Sequence, residues 1–272
     1  MKTKVKCIAV LLLSAVFTSL AIAGPSYKFS PEIPLMYSFN IAGDITYKYE
    51  DIPNEKFSIF SKGIITFETI EVKDDRYIIK VTPSKTVVKL NNNVFEDLSD
   101  NENAVSQVIS TSVIEIKPDG EIVSIKEIAP GILDIAQIFM LLPVFPEKIA
   151  KPWKQKIPAF NIPGVPMSPL IFVYNYSQAE KETAIQLSSN QIIKEENKEK
   201  DITTVFTGKN TSKGKFVFDE NKGEINSFNG IVDLVLNIVF KMPSSSDQKE
   251  TENHSIPLNV GIKLNISMER QN

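Results

Sequence analysis

The sequence predicts a mainly β protein of two similar antiparallel halves, forming a curved sheet, a half-barrel or a sandwich, with one short apolar helix near residues 131–142. Three observations predict it. Apolar and polar residues alternate over much of the chain, and short polar turns of the hairpin type separate the alternating runs. A single stretch shows helical spacing instead.

The clearest alternation lies near the C-terminus. From Leu258 to Met268 every second residue is apolar, and the residues between them are mostly polar. A second apolar row runs from Val232 to Met242, opposite a mixed row that contains Asp233. A period of two is typical of strands that bury one face. The same pattern occurs in shorter runs at 45–49, 77–81, 86–90 and 170–176, and less regularly at 57–72 and 105–116.

Two turns with similar surroundings interrupt the alternation. Residues 117–120 and 219–223 each carry Asp and Gly between apolar runs, which is the composition of a hairpin turn. In both places an apolar strand and an Asp are followed by Gly-Glu-Ile. The match indicates either an old duplication or two ordinary hairpins, and the sequence leaves both explanations open.

The middle of the chain breaks the β pattern twice. Residues 131–142 are strongly apolar at helical spacing, which predicts a short apolar helix. Residues 143–169 then contain seven prolines and the only tryptophan, Trp153. Because proline disfavours both helix and central strand, this segment is predicted to be a stiff, irregular crossing between the halves.

Two polar runs complete the predicted organisation. Residues 244–255 contain no apolar side chain and predict a mobile loop that joins the last two strands. The charged run 194–201 predicts a solvated turn. The chain therefore divides into a signal peptide (1–23), a first β half ending in the apolar helix (24–142), the Pro-rich crossing (143–169) and a second β half (170–272).

The first 23 residues have the pattern of a cleavable signal peptide. Lys2, Lys4 and Lys6 form a positive region, an apolar run extends to Leu20, and Ala21-Ile22-Ala23 has the small-x-small pattern that a signal peptidase reads. We therefore expect the mature chain to begin at Gly24 and to be periplasmic or extracellular. The apolar run is too short for a comfortable membrane span, and no later stretch approaches about 20 apolar residues, so no transmembrane span is expected in the mature chain.

Composition excludes several classes of function. Cys7 is the only cysteine, so a mature chain lacks disulfides, thiolate metal ligands and a cysteine nucleophile. Removal of the signal peptide takes away three basic residues and no acidic one, which moves the formal charge from −3 to −6. A mildly acidic chain without a basic cluster argues against a nucleic-acid-binding surface. An exported chain without disulfides fits a bacterial envelope.

The search for catalytic residues finds none that form a constellation. His254 is the only histidine and lies in the polar run 244–255. A mobile polar loop does not hold a histidine in the defined geometry that a catalytic triad or a zinc site requires. The carboxylates near 68–71, 97–102 and 115–127 show neither the pairing of a glycosidase nor the spacing of a calcium loop. Glycine-rich nucleotide motifs and the nucleophile elbow are missing too. The sequence thus predicts a protein that is not an enzyme and has no metal site and no cofactor.

Binding or a structural role remains. The apolar helix and the partly apolar second face of the 232–242 strand suggest a curved sheet around a hydrophobic interior, which suits a lipid or another hydrophobic small molecule. An ordinary dry core would give the same pattern. The alternative is a structural or protein–protein interaction module that meets another envelope protein through an exposed strand face or edge. The predicted ligand-binding residues are Ile132, Ile135, Phe139, Leu142, Leu234, Leu236, Ile238 and Phe240.

Two stretches resemble a broad group of uncharacterised exported bacterial β-rich proteins, a domain of unknown function. They are 142–148, followed by Trp153, and 214–219, with Gly223 ending the turn. The group usually carries Gly-Asp before the tryptophan, whereas this chain has Lys151-Pro152. The Phe-x-Phe-Asp strand is similar, more distantly, to strands of periplasmic lipoprotein-carrier folds. The resemblance implies fold and location, and it implies no active site.

Overall fold

The computed structural model describes residues 22–49, 54–73, 75–91, 93–96, 110–129, 139–149, 152–157, 168–179, 182–199, 202–242 and 254–271. The first eight strands are β1 Ile22–Ala23, β2 Leu35–Tyr49, β3 Glu55–Lys73, β4 Arg76–Leu90, β5 Asn93–Glu96, β6 Thr111–Ile116, β7 Ile122–Ala129 and β8 Lys148–Ile149. The other eight are β9 Trp153–Ile157, β10 Leu170–Ala179, β11 Glu182–Ser188, β12 Gln191–Glu199, β13 Ile202–Asn210, β14 Lys213–Asp219, β15 Glu224–Met242 and β16 His254–Arg270.

Fourteen of these strands form one open, curved antiparallel sheet, so the predicted fold class is confirmed. The strand order is β7-β6-β4-β3-β2-β16-β15-β14-β11-β10-β9. Three strands lie off this path: β5 pairs with β4, and the β12–β13 hairpin joins the sheet through β15. The short strands β1 and β8 pair separately with each other.

The long strands β15, β16 and β2 form the centre of the sheet, and their apolar rows lie on one face. Leu234 of β15 stands opposite Ile262 of β16, which stands opposite Ile45 of β2. All three side chains are buried. Both long apolar rows predicted from the sequence therefore contribute to the same core. We call the face that carries Leu234 the inner face and the opposite face the outer face.

Both predicted glycine turns are present, and each has a glycine in the left-handed region. Gly120 has φ +97° and Gly223 has φ +68°, conformations that favour glycine. In the second turn the carboxylate of Asp219 accepts hydrogen bonds from the N–H groups of Asn221, at 3.0 Å, and Lys222, at 3.1 Å. The aspartate thus fixes the loop, and the glycine supplies the reversal.

The N-terminal segment links the two glycine turns. The N–H of Tyr27 donates to the carbonyl of Pro118 at 2.6 Å, and the N–H of Lys28 donates to the carbonyl of Gly223 at 3.0 Å. The Tyr27 ring packs edge-on against Phe218, with 5.4 Å between ring centroids. Residues 27–28 therefore join one turn from each half of the sequence.

Several segments differ from the sequence predictions. The charged run 194–201 was predicted as a turn, which is wrong: residues up to Glu199 belong to β12. This strand lies at an edge, where charged side chains remain hydrated and block pairing with another chain. The Pro-rich crossing is not irregular throughout, because it contains strand β9. This strand lies at the edge of the sheet and pairs only with β10 among the described strands. Proline next to an edge strand costs no ladder hydrogen bond.

The predicted helix and polar loop fall largely outside the described residues. Residues 131–138 of the predicted helix lie there, and residues 139–141 form one 3₁₀ turn. Most of the predicted loop 244–255 also lies there, but His254 is already the first residue of β16. Within the described ranges, no helix is long and apolar enough to cross a membrane.

Candidate binding site on the inner face

The predicted β15 residues lie in the middle of the inner face. Leu234, Leu236 and Ile238 are at most 1% exposed, and Phe240 is partly buried at the end of the row. Their partners on β16 are Ile262, Val260, Leu258 and Ile256, and their partners on β13 are Asn210, Gly208, Phe206 and Thr204. All the β16 partners are aliphatic, so this part of the inner face is continuously apolar, and its middle is already covered by other residues of the chain.

Asn210 is a polar residue on this apolar surface. It is fully buried and stands opposite Leu234. Its Oδ1 accepts hydrogen bonds from the N–H of Ser212 at 3.1 Å and from the Ser212 hydroxyl at 2.5 Å. Its Nδ2, however, has no acceptor among the residues that the structure describes. A buried donor without a partner costs roughly 1–3 kcal/mol, so this amide has an unused capacity to bind an acceptor.

A second polar atom on the inner face is also unpaired within the described part of the chain. The hydroxyl of Ser61 is fully buried and has no hydrogen-bond partner. Ser61 stands between Ile41 of β2 and Val88 of β4, both buried. Ser112 Oγ and Trp153 Nε1 are likewise buried and unpaired within the described residues, so Asn210 is one of four such groups. Each is unusual, because buried polar groups in proteins are nearly always paired.

Phe139 and Leu142 lie at a different part of the inner face. Phe139 packs edge-on against Phe67, with 4.7 Å between ring centroids, and both predicted residues border a cavity of about 20 Å³. Tyr37 and Met268 also line it, but none of the four predicted β15 residues does. The cavity holds at most one water molecule. The structure therefore places these two residues apart from the β15 row, and Ile132 and Ile135 lie outside the described residues.

Buried tyrosine hydroxyls hold the crossing to this end of the sheet. Tyr174 donates to the carbonyl of Leu141 at 2.9 Å, and Tyr27 donates to the carbonyl of Pro143 at 3.2 Å. Burial raises the pKa of both phenols well above the ordinary value, so both stay protonated donors at neutral pH. Trp153 stacks on Tyr174 at 5.5 Å and extends the aromatic contact.

The outer face carries two depressions that sequence reasoning missed. They measure about 740 and about 760 Å³ and share Asn40, Asn229 and Ser267. Along each strand the residues that line the depressions alternate with the buried inner-face residues. The polar residues between the apolar ones in β14, β15 and β16 could therefore have indicated these depressions. They were overlooked because polar outer rows are the ordinary solvated face of an antiparallel sheet.

Comparison with known proteins adds no assignment. No family model and no curated protein matches this chain. Among the described residues there is no group of three or more His, Cys, Asp or Glu side chains that could hold a metal ion.

Proposed function

We propose that this chain is an exported, non-enzymatic binding protein that holds a hydrophobic ligand along the inner face of β13, β15 and β16. The ligand has an apolar body, which lies along Leu234, Leu236 and Ile238, and a carbonyl or carboxylate oxygen, which accepts a hydrogen bond from Asn210. The observation that carries the proposal is the unpartnered Nδ2 of Asn210 on an otherwise apolar surface.

The two parts of such a ligand contribute to binding in different ways: the apolar body through burial of its surface, and the oxygen through a hydrogen bond to the unpaired amide. An acyl chain that packs on this row takes its own apolar area out of water, at about 25 cal/mol per Å², since the row itself is at most 1% exposed. Its oxygen satisfies an amide that otherwise stays buried and unpaired. A lipid or a lipid-like amphiphile has both groups, whereas a fully apolar ligand would leave the amide unsatisfied. Ile132 and Ile135 remain predicted parts of the lining.

Export is part of the proposal. Residues 1–23 supply the signal, and cleavage after Ala23 would remove β1 and leave Gly24, whose N–H donates to the carbonyl of Glu147 at 3.1 Å. We expect the intact mass of protein recovered from the periplasm or the medium to match a chain that begins at Gly24. Protein found only at the full-length mass in the cytoplasm would contradict the export.

The ligand is tested by native mass spectrometry of the protein purified from a bacterial envelope, followed by solvent extraction and lipid analysis. We expect a monomer with a reproducible adduct of lipid mass, and a lipid in the extract. A bare monomer with nothing extractable would refute the ligand proposal.

Asn210→Leu is the variant that addresses the amide. It removes the donor, so the adduct should be lost or at least strongly reduced. Because it also removes the Oδ1 that accepts from Ser212, circular dichroism must show the same fold as the unchanged protein. Asn237→Leu is the matched control, because Asn237 belongs to the outer row of β15 and donates to Asn259 at 3.0 Å. If both variants carry the lipid adduct in the same proportion, Asn210 does not contact the ligand.

The second candidate is a protein–protein interaction module of the envelope. The observation in its favour is Ile192 on edge strand β12, which is 72% exposed. An oligomer or a complex without lipid, in the same mass measurement, would support this candidate, and Ile192→Lys should then dissociate it. A lipid-loaded monomer would argue against it.

A further inference from the structure

We propose that the outer face of the sheet is a second binding site, and that it takes an acidic oligosaccharide. The two depressions meet at Asn40, Asn229 and Ser267 and form one groove. The groove crosses eight neighbouring strands, from β10 to β4. With about 4.8 Å between strands, its length along the sheet is about 34 Å. Such a shape fits an extended chain better than a compact small molecule.

Four side-chain amides in the groove are free to bind. Asn40, Asn175, Gln186 and Asn229 are exposed, and within the described residues none of their side-chain amides has a hydrogen-bond partner. Side-chain amides both donate and accept, which matches the hydroxyl groups of sugars. Apolar atoms of Ile231 and its neighbours lie between the polar groups and can contact the faces of sugar rings.

The charge of the groove is opposite to that of the chain. Its lining contains four lysines and a single acidic residue, Glu269, although the chain as a whole has a formal charge of −3. In the part of the chain that the structure describes, none of these lysines forms an ion pair. The unpaired lysines form two pairs, one in each depression, and unpaired cations on an acidic protein attract an anionic partner. The lysines are Lys62, Lys85, Lys213 and Lys215.

The backbone at Lys85 is a separate sign of a binding role. Lys85 has φ +48°, the left-handed region that a non-glycine residue adopts at a cost of roughly 1–2 kcal/mol. It lies where β4 carries an extra residue against β3, since Lys62 pairs with Val87 but Ile64 pairs with Ser84. Bulges of this kind re-aim a side chain. Here the bulge directs a lysine to the groove, and strained positions of this type cluster at binding sites.

The lining favours a sugar chain over a nucleic acid. Proteins that hold single-stranded nucleic acid stack the bases on several aromatic side chains. Phe60 is the only aromatic side chain in the groove that is not a buried inner-face residue, and Lys89 lies 5.9 Å from its ring centroid. Neither arginine of the chain lines the groove. Amides that both donate and accept, with lysines beside them, match the hydroxyl and carboxylate groups of acidic sugars.

The test is calorimetric titration of the purified protein with three probes: a galacturonate hexamer, the neutral maltohexaose and a hexathymidylate. We expect the galacturonate hexamer to bind at about 50 mM sodium chloride, and to bind less tightly at about 300 mM because the contacts are screened. Maltohexaose should bind at least about tenfold more weakly, since it lacks the charge. Hexathymidylate should also bind more weakly, since the groove lacks stacking platforms.

A fourfold Lys-to-Gln variant separates the groove from general charge. Lys62, Lys85, Lys213 and Lys215 are changed together, and the affinity for the galacturonate hexamer should fall about tenfold. The control variant carries the same charge change at four exposed lysines outside the groove, and it should change the affinity by less than about twofold. The control positions are Lys126, Lys148, Lys194 and Lys198.

Three results would overturn the proposal. They are no binding of the acidic hexamer, an equal loss in both variants, and hexathymidylate binding as tight as that of the acidic sugar. The last would reassign the groove to nucleic acid. All changed lysines are exposed, so circular dichroism should show the same fold in every variant. The outcome does not depend on the inner-face ligand, because the groove lies on the opposite face.

Discussion

The ring of Phe228 lies across Gly230, two residues further along β15. A Cβ atom added to Gly230 would stand 2.6 Å from Cζ of Phe228, and one added to Gly214, its partner on β14, would stand 2.9 Å from Cε2 of the same ring. The ring also stacks on Phe216, with 4.3 Å between centroids. The two glycines thus make room for a buried aromatic pair in the middle of the sheet.

Gly230→Ala should therefore destabilise the protein. The added methyl group pushes Phe228 off Phe216 in a close-packed core, which costs about 1–3 kcal/mol. Urea unfolding followed by circular dichroism measures the free energy. Gly261→Ala is the control: there the added atom meets only the exposed side chain of Thr46, whose Oγ1, at 2.5 Å, can turn away into solvent. A loss no larger than that of the control would show that the ring has room to move.

Tyr174→Phe tests the hydroxyl that holds the 3₁₀ turn 139–141, just before the crossing. Removing it leaves the buried carbonyl of Leu141 without its donor, so the free energy of unfolding should fall by about 1–3 kcal/mol. Tyr49→Phe is the matched change at a residue that is 38% exposed, and its effect should stay within about 0.5 kcal/mol. An unchanged stability in Tyr174→Phe would mean that water replaces the hydroxyl.

Alkaline pH should unfold the protein through its buried tyrosines. Burial raises the pKa of Tyr27, Tyr37 and Tyr174 in the folded state. Below about pH 10 both states keep the phenol protons, and the full stability is present. Above that value the unfolded chain loses protons that the folded chain keeps, so stability falls by about 1.4 kcal/mol per pH unit for each tyrosine. Urea unfolding between about pH 8 and about pH 11.5 measures the slope, which Tyr27→Phe should reduce. A flat profile would contradict the burial of these phenols.

Lys85→Gly should stabilise the fold and lower the affinity of the groove for the galacturonate hexamer. Glycine adopts the left-handed conformation freely, and the relief exceeds its loss of chain entropy by about 0.5–1 kcal/mol. Lys89→Gly, on the extended part of the same strand, should instead destabilise by about 0.5–1 kcal/mol. Thermal unfolding gives the stability, and titration with the galacturonate hexamer gives the affinity. A gain in stability without a loss in affinity would show that the strain has no role in binding.

The strands and their buried faces could be predicted because alternation is a local property. The rows 232–242 and 258–268 each report which side chains turn inward, and both predictions are confirmed. Alternation contains no information about neighbours, however. Strand β2, near the start of the sequence, lies between β3 and β16, and β16 comes from near its end. This arrangement depends on long-range packing, which no short window of sequence reports.

The sites were less predictable for a related reason. Asn210 belongs to an inner row that begins with Ile202, and nothing in its sequence context marks it as an unpaired donor. That property depends on the absence of an acceptor near Leu234, which is a tertiary fact. Lys85 looks like any strand lysine until the bulge at Gly63 gives it a positive φ. The charged run in β12 was wrongly predicted as a turn, because a hydrated edge strand and a turn can have the same charged composition.

The contacts of the N-terminal segment have a kinetic consequence. Lys28 bonds through its side chain to the carbonyl of Asn221, 193 residues away in the sequence, and its backbone bonds to Gly223. Residues 27–28 can therefore dock only after both glycine turns, at 117–120 and 219–223, have formed. Such long-range closure is slow compared with local pairing. The final step of folding should therefore be the docking of this segment.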